Sequence, residues 1–208
     1  MQILVLDHPL AHHKLALLRD HRTTMNQFRT VTEELGLMLA VEATRNLSTT
    51  AVELETPLEK MSGRMLAGLD PALVPVLRAG LGLVPSFLKL LPTAKVGHIG
   101  MYRDHVTLKP VPYYRNFPPM LGSRAVYVLD PMLATGGSAS ESIQEVKDVG
   151  AVDITLVSVI AAPEGLARLE KDHPDLRIVI GAVDRGLNEH GYILPGLGDA
   201  GDRTYGTI

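Results

Sequence analysis

The sequence has no cysteine and no tryptophan among its 208 residues, and it has only three phenylalanines and six tyrosines. The absence of cysteine excludes disulfides, thiolate nucleophiles and cysteine-based zinc sites. The scarcity of aromatic side chains leaves little for stacking the bases of single-stranded nucleic acid. Its 20 basic side chains are balanced by 23 acidic ones, so no basic excess indicates a nucleic-acid partner. We therefore expect this protein to bind no nucleic acid.

Patterns typical of a signal peptide and of a membrane span are also absent from the sequence. The N-terminal stretch Met1–Asp7 has neither the basic region nor the long apolar core of a signal peptide. The longest strongly apolar run, Ile154–Ala162, is too short to cross a bilayer. We therefore expect a cytoplasmic protein with no membrane partner. A hydrophobic content of 46% permits a sizeable core, and the length predicts a single domain over residues 1–208.

Apolar segments of strand length alternate with segments of helical periodicity along most of the chain. The predicted strands are Ala51–Thr56, Leu73–Leu77, Lys95–Tyr102, Ala125–Leu129, Ile154–Ala161 and Arg177–Val183. The predicted helices are Leu10–Arg19, one from a capping box at Thr24 to about Arg45, Val84–Leu91, Ala139–Val149, and one opened by Pro163. This alternation predicts an α/β fold, with a mostly parallel sheet flanked by helices on both faces. A proline-rich arm at about 103–119 and a glycine-rich tail at about 184–208 carry few such signals.

The stretch Val126–Ala139 combines a buried strand, an acidic residue, a loop of small residues and the start of a helix. Free backbone N–H groups and the helix dipole at such a start bind anions. Gly136 and Gly137 let a phosphate approach the backbone, and Thr135 and Ser138 add hydroxyl donors. Asp130, at the strand end, suits the hydroxyls of a sugar that carries the phosphate. The lysine and spacing of a nucleoside-triphosphate P-loop are absent, which argues against that class of site.

Two arginines follow other predicted strands directly, Arg78 after Leu73–Leu77 and Arg103 after Lys95–Tyr102. Open α/β sheets bind ligands at the carboxyl ends of their strands, and arginine forms bidentate contacts with phosphate. In the tail, Gly196, Gly198 and Gly201 fit the spacing of a dinucleotide fingerprint. That fingerprint needs an acidic residue about 20 positions further on, whereas only seven residues follow Gly201, so we reject it.

The segment from Asp130 to Ser138 resembles the 5-phosphoribosyl-1-pyrophosphate (PRPP) motif of phosphoribosyltransferases, with Pro131 where the general motif has a second acidic residue. This form is similar to that of the uracil phosphoribosyltransferases. The tail, with Leu187–Ile193 and Pro195–Arg203, resembles their uracil-binding hood. The likeness extends over essentially the whole chain through four further segments: His8–Leu10, Pro75–Gly82, Gly100–Arg103 and Ala161–Gly165.

The resemblance implies a type I phosphoribosyltransferase-like fold and a transfer of phosphoribosyl from PRPP to uracil, giving UMP and pyrophosphate in pyrimidine salvage. It implies that Arg78 and Arg103 bind the pyrophosphate, Asp130 the ribose, and Asp199 faces PRPP and its magnesium. The remaining PRPP-binding positions would be Pro131, Met132, Leu133, Ala134, Thr135, Gly136, Gly137 and Ser138. The uracil-binding positions would be Ile193, Gly198, Asp199 and Ala200, and the catalytic ones Asp130, Arg103 and Asp199.

The resemblance also implies Mg²⁺ bound with PRPP, a homo-oligomer that is a dimer or larger, and GTP as a candidate allosteric activator. Two alternatives stay open. One is a phosphoribosyltransferase for another base, against which the tail argues. The other is an RNA-binding regulator of pyrimidine metabolism on the same fold, against which the net charge of −3 argues.

Overall fold

The computed structural model describes residues 1–103 and 110–207. The helices are α1 Pro9–Arg19, α2 Met25–Ala43, α3 Val84–Leu90, α4 Gly137–Asp148, α5 Pro163–Asp172 and α6 Ala200–Tyr205. The strands are β1 Gln2–Val5, β2 Thr49–Glu55, β3 Lys60–Leu66, β4 Ala72–Leu77, β5 Lys95–Val96, β6 His98–Arg103, β7 Pro110–Asn116, β8 Val126–Leu129, β9 Met132–Leu133, β10 Ile154–Ala161, β11 Arg177–Val183, β12 Gly186–Leu187 and β13 Ile193–Leu194. In these described ranges, no helix has the length and apolar character needed to span a membrane.

The main sheet has the strand order β1-β11-β10-β8-β4-β6-β7. Its pairings are parallel except that β6 and β7 are antiparallel. The two short strands β5 and β9 lie off this path and pair with β4 and β10. The mostly parallel α/β sheet predicted from the alternation of segments is thereby confirmed.

Both faces of the sheet are covered, and the pleat of β8 divides the core between them. Tyr127 and Leu129 pack on one face with α1, α2 and α3. Val126 and Val128 pack on the other face with α4 and α5. Successive strand side chains point to opposite faces, so a strand buried on both sides is apolar at every position. This is the pattern that made β8 recognisable as a buried strand.

The long helix α2 has the start that its sequence predicts. The Thr24 side chain accepts a hydrogen bond from the Gln27 N–H, and the Gln27 side chain accepts one from the Thr24 N–H. The helix ends at Ala43, two residues before the predicted end. Arg177 donates to the carbonyls of Glu42 and Ala43, both at 2.8 Å, and so satisfies two acceptors of the last turn.

Three segments differ from the prediction. The strand β1, which pairs with β11 at the sheet edge, was not predicted, since its side chains are mostly exposed and show no alternation. The predicted edge strand at 51–56 is β2, which forms a separate two-stranded antiparallel sheet with β3. The predicted strand at 95–102 is divided at Gly97, where a Cβ would lie 2.7 Å from the Asn116 carbonyl oxygen.

The arm and the tail contain more regular structure than their sequences predict. In the arm predicted at about 103–119, β7 pairs with β6, while residues 104–109 lie outside the described residues. The tail forms the hairpin β12–β13 and the helix α6, whose C-cap is Gly206. These elements bring the tail over the carboxyl end of the sheet.

Candidate active site

An open cavity of about 290 Å³ lies at the carboxyl ends of β4 and β8. It is bounded by the residue after each strand, by the start of α4 and by the start of α6. Its lining residues are Val76, Leu77, Arg78, Ala79, Met101, Asp130, Met132, Leu133, Ala134, Thr135, Gly136, Gly137, Ser138, Ala139, Asp199 and Gly201. The chain thus brings Arg78, Asp130, the small-residue loop and Asp199 to one place, as expected for a parallel sheet.

The helix α4 begins in the cavity wall, and Gly136 is its N-cap with φ of 76°. No side chain in the described part of the chain caps its first turn. The Gly137 N–H makes only a long contact of 3.5 Å with Oγ1 of Thr135. The first-turn N–H groups of an α-helix have no partner within the helix. This end of α4 can therefore bind an anion such as a phosphate.

The loop before α4 packs closely on the start of α5, and glycines make this approach possible. A Cβ on Gly136 would lie 2.9 Å from the Gly165 carbonyl oxygen, and one on Gly165 would lie 2.5 Å from the Ala134 carbonyl oxygen. Neither backbone has room for a side chain at these points. The loop is therefore held closely against the start of α5, and its residues Thr135–Ser138 line the cavity.

Asp130 stands at the end of β8, partly buried. Burial raises the pKa of its carboxyl group from 3.8 to about 6, opposed by a hydrogen bond from the Met132 N–H. That bond is long, at 3.4 Å, so the carboxylate has acceptor capacity left for a ligand. At neutral pH it is ionised and can accept hydrogen bonds from the hydroxyl groups of a sugar.

Arg78 follows β4 and enters a 3₁₀ turn over Ala79–Leu83. The peptide bond between Leu77 and Arg78 is cis. A Cβ on Gly80 would lie 2.2 Å from the Leu129 carbonyl oxygen, so only glycine lets this turn approach the end of β8. The approach places Arg78 beside Asp130 in the cavity wall. Its guanidinium is about half exposed and lies 3.1 Å from Asp202.

Asp199 is the N-cap of α6, where its Oδ1 accepts a hydrogen bond from the Asp202 N–H at 2.9 Å. It is exposed at the cavity wall. Within residues 1–103 and 110–207, no group of three or more histidine or acidic side chains could hold a metal ion alone. The two cavity carboxylates, Asp130 and Asp199, are thus acidic groups available to a bound substrate or its cation.

Four other predicted site residues, Pro131, Ile193, Gly198 and Ala200, are not among the lining residues of this cavity. Pro131 is buried, and its carbonyl accepts the N–H groups of Val159 and Ile160. Ile193 and Ala200 are buried in the core, at 4% and 5% exposure. Gly198 is exposed, with φ of 80°. Arg103 ends β6, and its side chain lies outside the described part of the structure.

The sequence reasoning missed a set of residues that hold the tail in place. Asp184 pairs with Arg19 of α1, and both contact the backbone of Gly196. Arg203 contacts the carbonyls of Leu197 and Asp20. Asp184 directly follows the predicted strand at 177–183, so the rule that found Arg78 and Asp130 would also have selected it.

A second polar cluster resembles a catalytic triad in composition only. Oγ of Ser140 contacts Oδ2 of Asp172 at 2.9 Å and Nε2 of His173 at 3.2 Å. In a triad the histidine bridges the other two groups, whereas here the serine does. The cluster joins α4 to α5, burial lowers the pKa of His173, and none of the three lines the cavity. Its role is structural.

Comparison with known proteins identifies the family to which this site belongs. Residues 5–207 match the family model of uracil phosphoribosyltransferase. The chain belongs to that family. It is 52% identical over 207 residues to the uracil phosphoribosyltransferase of Thermus thermophilus, with 100% of both chains covered. It is 54% identical over 200 residues to that of Clostridium kluyveri, with 96% of both covered.

Solved structures agree with the family fold. The AQ2163 protein from Aquifex aeolicus superposes with a TM-score of 0.93 at 39% identity, and 99% of both chains are covered. Adenine phosphoribosyltransferase from Trypanosoma brucei superposes with a TM-score of 0.57 at 14% identity, covering 91% of this chain and 86% of that one. The second likeness is one of fold alone, and it places this member of the uracil phosphoribosyltransferase family among the type I phosphoribosyltransferase folds.

Proposed function

We infer that this protein transfers the phosphoribosyl group of PRPP to uracil, giving UMP and pyrophosphate in pyrimidine salvage. The observation that carries this inference is the single cavity that joins Arg78, Asp130, the start of α4 and Asp199. A ligand with a terminal phosphate, a sugar and a pyrophosphate matches those groups in chemistry. Membership in the uracil phosphoribosyltransferase family supports uracil as the acceptor.

PRPP lies across the cavity in the proposed complex. Its 5-phosphate sits at the start of α4, where Thr135–Ser138 offer N–H groups and hydroxyls. Asp130 accepts the ribose hydroxyls. Arg78 and Arg103 bind the pyrophosphate, since guanidinium groups suit phosphate oxygens in charge and geometry.

The reaction needs positioning and charge stabilisation rather than a protein nucleophile. The bond between the anomeric carbon and the pyrophosphate oxygen breaks, and its electron pair leaves with pyrophosphate. N1 of uracil forms the new bond to that carbon and gives up its proton. The arginines stabilise charge on the leaving group, and the loop and tail hold the two reactants in line.

Magnesium fits this site as a cation bound mainly by the substrate. Mg²⁺ is usually held by one or two carboxylates together with substrate phosphates and water. Asp199 and Asp130 offer those carboxylates at the cavity wall. When bound, the ion would neutralise charge on the pyrophosphate oxygens.

Uracil is assigned to the backbone of the tail around Ile193, Gly198 and Ala200, beside Asp199. The carboxylate of Asp199 is both exposed at the cavity and adjacent to Gly198, so it joins the PRPP and uracil positions. Main-chain N–H and carbonyl groups there would read the edge of the base. The homo-oligomer and activation by GTP follow from the family resemblance and remain predictions, which sedimentation and titration with GTP measure directly. The cytoplasmic location, expected from the sequence pattern, also remains a prediction.

Pyrophosphate release from PRPP in the presence of uracil, cytosine, hypoxanthine, adenine and orotate tests the proposal. We expect release to depend on uracil and UMP to form in equal amount. A reaction without base measures hydrolysis of PRPP and serves as the control. Preference for another base would overturn the assignment. Salt-dependent binding of RNA without uracil turnover would favour a regulator on the same fold.

A further inference from the structure

We propose that Arg19, Asp184 and Arg203 are positioning residues for base recognition. They fix the main chain at Gly196–Gly198, and through it they set the affinity and selectivity of the protein for its base. This inference rests on the proposed function, because it assumes that uracil is read by the backbone of the tail. None of the three side chains lines the PRPP cavity.

Arg19 and Asp184 form a first clamp, which holds both the carbonyl and the N–H group of Gly196. Nη1 of Arg19 donates to the Gly196 carbonyl at 2.8 Å, and Oδ2 of Asp184 accepts the Gly196 N–H at 2.9 Å. The two side chains also pair with each other, and that of Asp184 is only 3% exposed. The buried carboxylate of Asp184 is thus hydrogen-bonded to both Arg19 and Gly196, which favours a single geometry although the Arg19 side chain is 25% exposed.

Arg203 forms a second clamp, which holds the carbonyl group of Leu197. Nη1 of Arg203 donates to the Leu197 carbonyl at 2.8 Å and also contacts the Leu18 carbonyl. Its Nη2 donates to the Asp20 carbonyl at 2.8 Å. The guanidinium carbon lies 4.4 Å from the centroid of the Phe28 ring. The tail is thereby tied to the end of α1 and to the first turn of α2.

These clamps matter because the segment they hold is intrinsically adaptable. Gly196 and Gly198 have φ of 67° and 80°, in the left-handed region that glycine adopts freely. A main chain that discriminates by the direction of its hydrogen bonds must keep its N–H and carbonyl groups fixed. Gly198 directly follows the two clamped residues. Loss of either clamp should therefore let the main chain of Gly198 take other orientations relative to the base.

Two variants and a matched control test this proposal. The double variant Arg19→Leu with Asp184→Leu removes the first clamp and leaves no unpaired buried charge. Arg203→Met removes the second and keeps an apolar chain over Phe28. The control is Arg177→Met, because Arg177 also donates to two carbonyls at 2.8 Å but does so at the end of α2, remote from the tail. Each protein is measured for KM of uracil, KM of PRPP, kcat, the uracil-to-cytosine ratio of kcat/KM and melting temperature.

We expect both clamp variants to raise the KM of uracil by about tenfold or more, as loss of charge-assisted hydrogen bonds does. The uracil-to-cytosine ratio should fall, and the KM of PRPP should change much less. The control should lose stability only. Arg203→Lys, which keeps a single cationic donor group, should recover part of the uracil affinity. Should the double variant fail to fold, Asp184→Asn keeps an acceptor for Gly196, weakens the pair and should move the ratio in the same direction.

Two failures can be told apart. If the wild-type protein does not use uracil, the proposed function is wrong and this inference fails with it. If the wild type uses uracil but the folded variants keep its KM and its selectivity while losing only melting temperature, the three residues are structural and the inference alone is overturned.

Discussion

Nη2 of Arg78 lies 3.1 Å from Oδ1 of Asp202, a residue 124 positions later in the chain. The same guanidinium lies 5.9 Å from the centroid of the Tyr205 ring, and the Tyr205 hydroxyl contacts the Arg78 carbonyl at 3.4 Å. The residue after β4 is thus held by α6, whose N-cap is Asp199. About half of the Arg78 side chain is exposed, so within residues 1–103 and 110–207 it has donors that an anionic ligand can reach.

Replacing Arg78 by alanine should weaken PRPP and pyrophosphate more than UMP, since UMP lacks the pyrophosphate. Removing a hydrogen bond to a charged group costs about 1.5–3 kcal/mol, or roughly ten- to a hundredfold in affinity. Calorimetry with each ligand measures this difference. Arg45→Ala is the control, because Arg45 is an exposed arginine paired with Glu42 outside the cavity lining. Equal weakening of UMP and PRPP would show that Arg78 does not serve the pyrophosphate.

Asp130→Asn should keep the fold and lose most of the turnover, because it removes the charge assigned to the ribose hydroxyls. The size and shape of the side chain are retained. In the free protein, burial raises the pKa of Asp130 to about 6. The Asp130 carboxyl group therefore binds its proton more tightly in the folded protein than in the unfolded chain. Its contribution to the free energy of unfolding falls as pH rises from about 4 to about 6. In thermal unfolding, the melting temperature of the variant relative to that of the wild type should be higher at pH 7.5 than at pH 4.5.

The same carboxylate gives ligand binding a pH dependence of opposite sign. Ribose hydroxyls donate to the ionised form of Asp130, so a bound ribose lowers its pKa. Binding of ribose 5-phosphate near pH 6 should then release protons, and affinity should rise as pH increases through 6. Calorimetry in two buffers of different ionisation enthalpy counts these protons. The 5-phosphate titrates in the same range, and Asp130→Asn removes only the contribution of the carboxylate. Identical proton release by both proteins would show that Asp130 does not contact the ribose.

Gly136→Ala should weaken PRPP, whereas Gly150→Ala should not. Both residues have positive φ, at 76° and 97°, so both substitutions carry a similar backbone cost of about 1–2 kcal/mol. They differ in surroundings. A Cβ on Gly150 would meet nothing within 4 Å, but one on Gly136 would press on the Gly165 carbonyl oxygen. Only Gly136→Ala should displace the loop before α4. Unchanged PRPP affinity in a folded Gly136→Ala protein would contradict the placement of the phosphate there.

The candidate phosphate and ribose site was predictable because its parts are contiguous. In Val126–Ala139, the end of the strand determines where Asp130 lies. The glycines allow the turn that follows, and the start of the helix supplies the free N–H groups. All of these are local effects. The position of Arg78 followed from the topological rule that parallel strands end at one edge. The structure brings Arg78, Asp130 and the start of α4 to one cavity for those reasons.

The parts that sequence could not supply depend on distant partners. Arg19 reads as an ordinary basic residue in the last turn of α1, but its partner Asp184 is 165 positions away. The helix α6 has only six residues and is held by tertiary contacts, such as that of Arg29 with the Thr204 carbonyl at 2.6 Å. Helices of this length have little stability alone, so no local pattern predicts them.

Uracil should be preferred to cytosine by orders of magnitude, because the two bases present opposite hydrogen-bonding groups at positions 3 and 4. A backbone N–H at Gly198 and a carbonyl near Ala200 would suit uracil and would meet cytosine donor to donor and acceptor to acceptor. A buried polar site rejects such a mismatch strongly. By the same reasoning 5-fluorouracil, whose reading edge is unchanged, should be accepted.

Reading by the main chain also predicts what a change of side chain in this region does. The Ile193 side chain is 4% exposed, so Ile193→Val should cost about 0.5–1.5 kcal/mol of stability and leave the choice of base unchanged. Ile178→Val, at a fully buried position on the other face of the sheet, is the matched control. Values of kcat/KM for uracil, 5-fluorouracil and cytosine, with melting temperatures, check both statements. Comparable kcat/KM for cytosine and uracil in the wild-type protein would contradict the assignment of the base to the main chain of the tail.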